Sequence, residues 1–284
     1  LKTTTYGTGE LILDAAKRGA TKIIIGIGGS ATNDGGVGMA QALGVHFMNK
    51  RGKEITKLGA GGMLHEIDSI NIKDLNPLIK KIKIIIASDV NNPLCGKIGA
   101  SNVFGPQKGA SPAMVKILDT NLKHLGKIIK ADLKKEVVNL KGAGAAGGLG
   151  AGLVAFTQAR MQSGIELVLE ATNMAQHIKG ADLVITGEGC IDFQTAFGKT
   201  PSGVAKFAKK HHVPTVAIGG VIADDANAMF AHGVDGLESA FAREMPLDEA
   251  MENSRIYIAN AAERVICLIM IGKNIAAKKL KRRK

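Results

Sequence analysis

The segment 181–220 constrains the fold most. ADLVITGEG at 181–189 is a short apolar run that ends in glycine and polar residues. GKTPSGVAKFAKKHH at 198–212 carries a helical pattern with Pro201 in its first turn, and VPTVAIGG at 213–220 is apolar again. Two strands joined by a helix form a βαβ unit, whose strands are parallel and whose crossover is right-handed. The same alternation runs through the rest of the chain. A helix over about 8–18, with Thr8 as N-cap and Gly19 past its end, leads into a buried strand at 22–27. A helix at 36–43, a loop-rich section at 44–80 and the buried strand KIKIIIASD, ending at Asp89, come next. A long loop at 90–111, a helix at 112–131 and a strand or short helix at 165–170 follow, and a C-terminal helix runs over 247–271. The expected class is α/β, with parallel sheet.

A chain of 284 residues can hold one large core or two domains. Aromatics are 4% and Trp is absent, so the core must be aliphatic. The 36 glycines cluster after apolar runs, as they do where strand ends approach a ligand. Cys95, Cys190 and Cys267 have neither disulfide nor metal spacing, which points to the reducing cytoplasm. No apolar run reaches bilayer length and no signal peptide is visible, so no membrane partner is expected. Half of the net charge of +12 lies in the tail AKKLKRRK, which reads as a solvated, disordered end. With Tyr6 and Tyr257 as the only tyrosines and no Trp, nucleic acid is not an expected partner; a basic body suits small anionic substrates.

Ligands of open α/β sheets sit at the carboxyl ends of strands, so the polar loops there are the candidates. GIGGSATNDGG is neither GxGxxG nor a Walker A loop. Gly28, Gly29, Ser30 and Asn33 offer unobstructed backbone N–H groups and small polar side chains, an anion-binding arrangement; a tight turn capped by Asn33 and Asp34 fits equally. SDVNNPLCG places Asp89 and Asn91 after a strand, for a metal, a proton or a plain turn. FGPQKG supplies Lys108, where solvation is the commoner fate. TGEGCIDFQTAFGKTP is the densest cluster, with Glu188, Asp192, Gln194, Thr195 and Lys199. Two carboxylates four residues apart and a lysine at a helix start could arrange Mg²⁺, a phosphate and a hydroxyl.

GIGGSATNDGG, SDVNNPLCG, FGPQKGA, GAGAAGGLGAG and TGEGCIDFQT…GKTP, in this order, resemble the bacterial glycerate kinase family of the first type over essentially the whole chain up to the tail. The resemblance implies ATP-dependent phosphorylation of D-glycerate to 2-phosphoglycerate with Mg²⁺. It also implies two α/β domains, one Rossmann-like, with the ligand cleft between them. The larger domain is expected over 1–178 and the Rossmann-like one over 179–284. Asp192 is expected as base or metal-orienting carboxylate with Asp89 as partner, Glu188 as polar support and Lys199 as phosphate contact. A homodimer stays open. Two departures stand out. Cys190 occupies a position that is usually basic, and the family carries a section before the point matching Leu1. The expectation is therefore a truncated chain, with its Rossmann-like half incomplete, poor solubility and negligible activity. An NAD-dependent oxidoreductase of Rossmann type, and an inactive remnant, are the rival readings.

Overall fold

The computed structural model describes residues 1–197 and 199–281. Gly198, expected at the start of the βαβ helix, and Arg282, Arg283 and Lys284 of the basic tail lie outside the described residues. The chain is mixed α/β with parallel sheets and divides into two compact units, Leu1–Gly164 and Ile165–Lys284.

The first unit runs α1 (Tyr6–Lys17), β1 (Lys22–Gly26), α2 (Val37–Ala42), β2 (His46–Met48), β3 (Ser69–Asn71), β4 (Lys83–Ala87), α3 (Ala100–Phe104), α4 (Pro112–Leu133), α5 (Leu149–Phe156) and β5 (Arg160–Gln162). Its main sheet has the order β1-β4-β5, all parallel, with Ile24 opposite Ile85; β2 and β3 pair antiparallel. α4 is long because its local signals agree. Ser111 Oγ accepts the Met114 N–H at 3.3 Å, and Pro112 fills the first turn. Leu118, Leu122, Leu125 and Ile129 then recur at helical spacing, and all are buried. Leu122, Leu125 and Ile129 join Ile84, Ile86, Phe47 and Phe156 in one core, where the two phenylalanine rings meet edge-on at 5.7 Å.

Four expectations are corrected here. α1 begins before Thr8, at Tyr6, since Thr5 is held from outside the helix by Asp34. β1 is not a buried strand: it is the edge of its sheet, and Ile24 is 54% exposed. β4 ends at Ala87, short of Asp89, because its partner β5 ends at Gln162. The 90–111 loop contains α3 and a 3₁₀ turn, Pro106–Lys108.

The second unit runs α6 (Gly164–Ala171, from the last residue of the first unit), α7 (Met174–His177), β6 (Val184–Ile191), α8 (Thr200–Lys210), β7 (Thr215–Ile222), α9 (Ala228–Ala231), β8 (Gly236–Ser239), α10 (Leu247–Glu252) and α11 (Ser254–Lys281). The order is β6-β7-β8, again all parallel, so the expected βαβ unit is present, with Val184 opposite Thr215 and Ile191 opposite Ile222. The boundary expected at 178/179 falls within this unit. Ile165 of α6 lies against Gly203 of α8, and Ile178, just after α7, packs with Val184, Ala208 and Val213, so both helices before β6 pack within this unit. The segment 165–170 is helix. β6 begins later than 181 and continues to Ile191, so Glu188 and Cys190 stand on the strand rather than in a loop after it. The C-terminal helix is broken at Asn253, whose Nδ2 donates to Glu249 O at 3.2 Å. α11 continues through Lys278 and Lys279, so this part of the tail is helical rather than a disordered end. No described helix is long and apolar enough to cross a membrane.

Candidate functional site

The first candidate site lies where β1 and β4 end side by side. In the loop after β1 the buried Ile27 is followed by two residues without side chains, Gly28 and Gly29, before Ser30, and Gly29 adopts a left-handed φ of 65°. Among the described residues, the N–H groups of 28–32 donate to no protein acceptor; the next such bond is Gly35 N–H to Gly147 O at 3.1 Å. A run of free N–H groups with no Cβ over its first two members is a ready anion cradle.

Lys108 faces this run. It is half-buried, and its ammonium donates to Ser30 Oγ at 2.8 Å and to Thr32 O at 2.7 Å, 78 and 76 residues away in sequence. Burial pulls its pKa below the usual lysine value, while the charge of Asp34 pulls it back up. The commoner fate expected for a loop lysine, free solvation, is thus not the one found. Gly28, Gly29, Ser30, Val90, Gln107 and Lys108 line a cavity of about 440 Å³, floored by Ala145 and Ala146. Ala146 is itself in the left-handed region, at φ 53°, as are Gly147 and Gly148 after it. A non-glycine residue there costs about 1–2 kcal/mol, and such strain concentrates at ligand sites. The turn is held because Gly147 presses on the loop: a Cβ on it would lie 1.9 Å from Thr32 O.

Asp34 fixes the loop from behind. It is fully buried, and its Oδ2 accepts from Thr5 N at 2.8 Å, Thr5 Oγ1 at 2.8 Å and Gly38 N at 3.2 Å, while Oδ1 accepts Gly36 N at 3.1 Å. The cap position of α2 is Gly36 rather than Asn33 or Asp34; Asp34 accepts N–H groups at the start of that helix, and the same carboxyl also ties down the start of α1. Sequence reasoning gave Asp34 no larger role, and nothing local in TNDGG signals a partner as distant as Thr5. Asn33, beside it, is buried, and its Oδ1 accepts the Ser101 hydroxyl at 3.1 Å. Ser101 was not singled out by the sequence either.

The carboxylate expected after β4 has a different surrounding. Asp89 is exposed, and its Oδ1 accepts the Gly164 N–H, the first of α6, at 2.9 Å. Asn91 is exposed, and Val90 between them is the residue that lines the cavity. A larger hollow of about 640 Å³ on this unit, beside Leu75, Leu133 and Phe156, is a poorer candidate. Its half-buried Lys135 spends its ammonium on the carbonyls of Val154, Ala155 and Thr157, at 2.8, 2.8 and 3.0 Å.

In the second unit the dense cluster does converge. Thr195, fully buried, hydrogen-bonds through Oγ1 to Glu188 Oε1 and lies 3.0 Å from Asp192 Oδ1. Its N–H also donates to Asp192 Oδ1, at 2.9 Å. Lys199 Nζ stands 3.5 Å from Asp192 and 3.9 Å from Glu188. Asp192 is held below the usual carboxylate pKa, chiefly by the Thr195 N–H, with the Thr195 hydroxyl and Lys199 adding to it. Gln194 is exposed, and Cys190 is an exposed free thiol. Among the described residues, no group of three or more His, Cys, Asp and Glu side chains is gathered as a metal site.

Known proteins resemble this chain over most of its length. The profile of the Glycerate kinase family matches residues 1–270. A glycerate kinase of Halalkalibacterium halodurans is 51% identical over 265 residues, which are 93% of this chain and 69% of that protein. The glycerate 2-kinase of Escherichia coli K12 is 49% identical, covering 96% of this chain and 71% of its own length. A crystal structure described as glycerate kinase 2 of Salmonella typhimurium LT2 superposes with a TM-score of 0.75 at 45% identity, over 96% of this chain and 71% of that one. Agreement of this extent, on a fold of parallel α/β units, settles the class: the chain belongs to the glycerate kinase family and is a kinase.

Proposed function

We propose that the protein transfers the γ-phosphoryl group of ATP to the 2-hydroxyl of D-glycerate, giving 2-phosphoglycerate and ADP. The observation that carries this reading is the row of free N–H groups at 28–32, with the Lys108 ammonium laid against it. Both reactants are anions, and such a cradle binds an anion without a P-loop. The 2-position follows from the name of the Escherichia coli relative, a glycerate 2-kinase 49% identical to this chain.

The hydroxyl oxygen bonds to the γ-phosphorus as the bond to the bridging β–γ oxygen breaks, ADP leaves with that electron pair, and the hydroxyl proton is released. In a loose transition state, alignment and charge neutralisation matter more than a strong base. Asp192, held by the Thr195 N–H and with Lys199 beside it, acts on the hydroxyl as base or as the carboxylate that orients it. Mg²⁺ is commonly bound through one or two carboxylates plus substrate phosphates, so Glu188 and Asp192 would hold it, and once bound it would neutralise phosphate charge. Lys199, within 3.5 Å of Asp192, is the phosphate contact on the second unit. Asp89, engaged with the start of α6, holds the end of β4 in place.

The test is ADP release with D-glycerate, ATP and Mg²⁺, with the product identified by ³¹P NMR. Lys108→Met should lower kcat/KM by roughly 100-fold, the usual loss for one preorganised donor. The reading fails if phosphorylation occurs at the 3-hydroxyl, if ATP is not consumed, or if Lys108→Met acts like the wild type.

A further inference from the structure

The cavity of about 440 Å³ after β1 carries a pattern of charge that suits one reactant and not the other. Among the described residues lining it, Lys108 is the only charged side chain, and no carboxylate is present. Two of the three ammonium hydrogens of Lys108 go to Ser30 and Thr32, which leaves one for a ligand beside the free N–H groups of Gly28 and Gly29. Mg²⁺ is usually bound through at least one carboxylate, and this lining offers none. One cation also balances one negative charge, not the several of a nucleotide triphosphate. The pair Glu188 and Asp192 stands on the second unit instead. An organic acid with a single carboxylate is the reactant that matches the cavity. Gln107 is the lining residue this leaves unexplained. Alone among the lining side chains it brings a carbonyl oxygen together with an N–H₂ group, and neither has a partner among the described residues. Gln107 is exposed, but its backbone is fixed. Pro106 precedes it, Lys108 N–H donates to Gly105 O at 3.0 Å, Gly109 N–H to Pro106 O at 2.9 Å and Ala110 N–H to Gly105 O at 3.1 Å. A Cβ on Gly105 would lie 2.3 Å from Ser101 O, so this turn is pressed against α3. A carboxylate only accepts and is served by Lys108 and the N–H groups. A hydroxyl both donates and accepts, and the amide of Gln107 answers both.

We propose that Gln107 recognises the terminal hydroxyl of the acid, while Lys108 and the N–H groups of Gly28 and Gly29 hold its carboxylate, and that Gln107 thereby selects a dihydroxy acid over the matching acid without that hydroxyl. This rests on the glycerate kinase reaction proposed above, in which the 2-hydroxyl is phosphorylated and the terminal one stays free to be read.

Binding rather than turnover tests it, so that the two proposals can fail separately. Calorimetric titrations of wild type and Gln107→Met, which keeps the length of the side chain and removes the amide, use three probes: D-glycerate, D-lactate, which lacks the terminal hydroxyl, and a non-hydrolysable ATP analogue with Mg²⁺. D-glycerate should bind roughly 3- to 10-fold more weakly to Gln107→Met, the range for one neutral hydrogen bond. D-lactate and the ATP analogue should not distinguish the two proteins. An equal loss for D-lactate would place Gln107 on the carboxylate and overturn the proposal. A loss for the ATP analogue without one for D-glycerate would assign the cavity to the nucleotide and overturn it too, as would no change for any probe. Should Gln107→Met not fold, the wild type answers: the ¹⁵N side-chain amide signal of Gln107 must move more with D-glycerate than with D-lactate, and equal movement overturns the proposal. Binding of D-glycerate that depends on Gln107 without phosphorylation would keep this proposal and reject the reaction; phosphorylation with binding indifferent to Gln107 would do the reverse.

Discussion

A carboxyl group cut off from water must give up its charge or find donors. Asp34 finds four, from Thr5 N, Thr5 Oγ1, Gly36 N and Gly38 N. Burial pushes its pKa up, and the hydrogen bonds push it back down. Asp34→Asn keeps the size but turns one acceptor oxygen into an N–H₂ group facing a backbone donor. Urea denaturation should then show a loss of about 1–3 kcal/mol, the cost of a buried donor left unpaired. A loss under about 0.5 kcal/mol, within the range of ordinary surface changes, would show that the carboxyl does not anchor the loop. This residue also marks how far the sequence could be read. GIGGSATNDGG announced a place where backbone meets an anion, because glycine spacing is a local property. It could not announce that Thr5, 29 residues upstream, and Lys108, 78 residues beyond Ser30, complete the place. Those pairings come from tertiary packing and leave no trace in local spacing.

Among the elements, β2 and its neighbours carry the clearest pH dependence. His46 Nδ1 meets Glu54 Oε1 at 2.6 Å, and Nε2 meets Asp74 at 3.2 Å. The Glu54 hydrogen bond raises the imidazole pKa above its usual 6.5; desolvation opposes it, and the charges of Glu54 and Asp74 add to the rise. The charged form is favoured in the folded state. The stabilisation is therefore complete below about pH 6.5 and lost as pH rises through the folded-state pKa. The pair is partly solvated, so its worth is at most about 1 kcal/mol. An NMR titration of the His46 ring should have a midpoint above 6.5 that falls in Glu54→Gln; a wild-type midpoint at or below 6.5 would refute the pairing. Element type was legible wherever pattern and termini agreed, as in α4, with Ser111 and Pro112 ahead of an amphipathic run. It was misread where burial was inferred from isoleucine content alone. β1 is rich in isoleucine yet lies at a sheet edge, and its position in the sheet depends on strand order rather than on its own residues.

For the whole molecule, the two units repeat one plan: three parallel strands, helices against them, and polar groups at the strand ends. That plan was readable from a single βαβ segment, since parallel strands require a crossover. The division between the units was less so: no composition shift marks it, and the contacts of Ile165 and Ile178 with the second unit decide it. The free N–H groups of 28–32 also act as a clock. In heavy water an unbonded amide at the surface trades its proton quickly, whereas amides locked in the β4 and β7 ladders must wait for the structure to open. The unliganded protein should label at 28–32 within the earliest time points and at the β4 and β7 ladders last. Saturation with D-glycerate and an ATP analogue should delay the loop while the ladders keep their pace. Slow labelling at 28–32 before any ligand is added, or equal labelling after, would mean that those protons were never waiting for an anion.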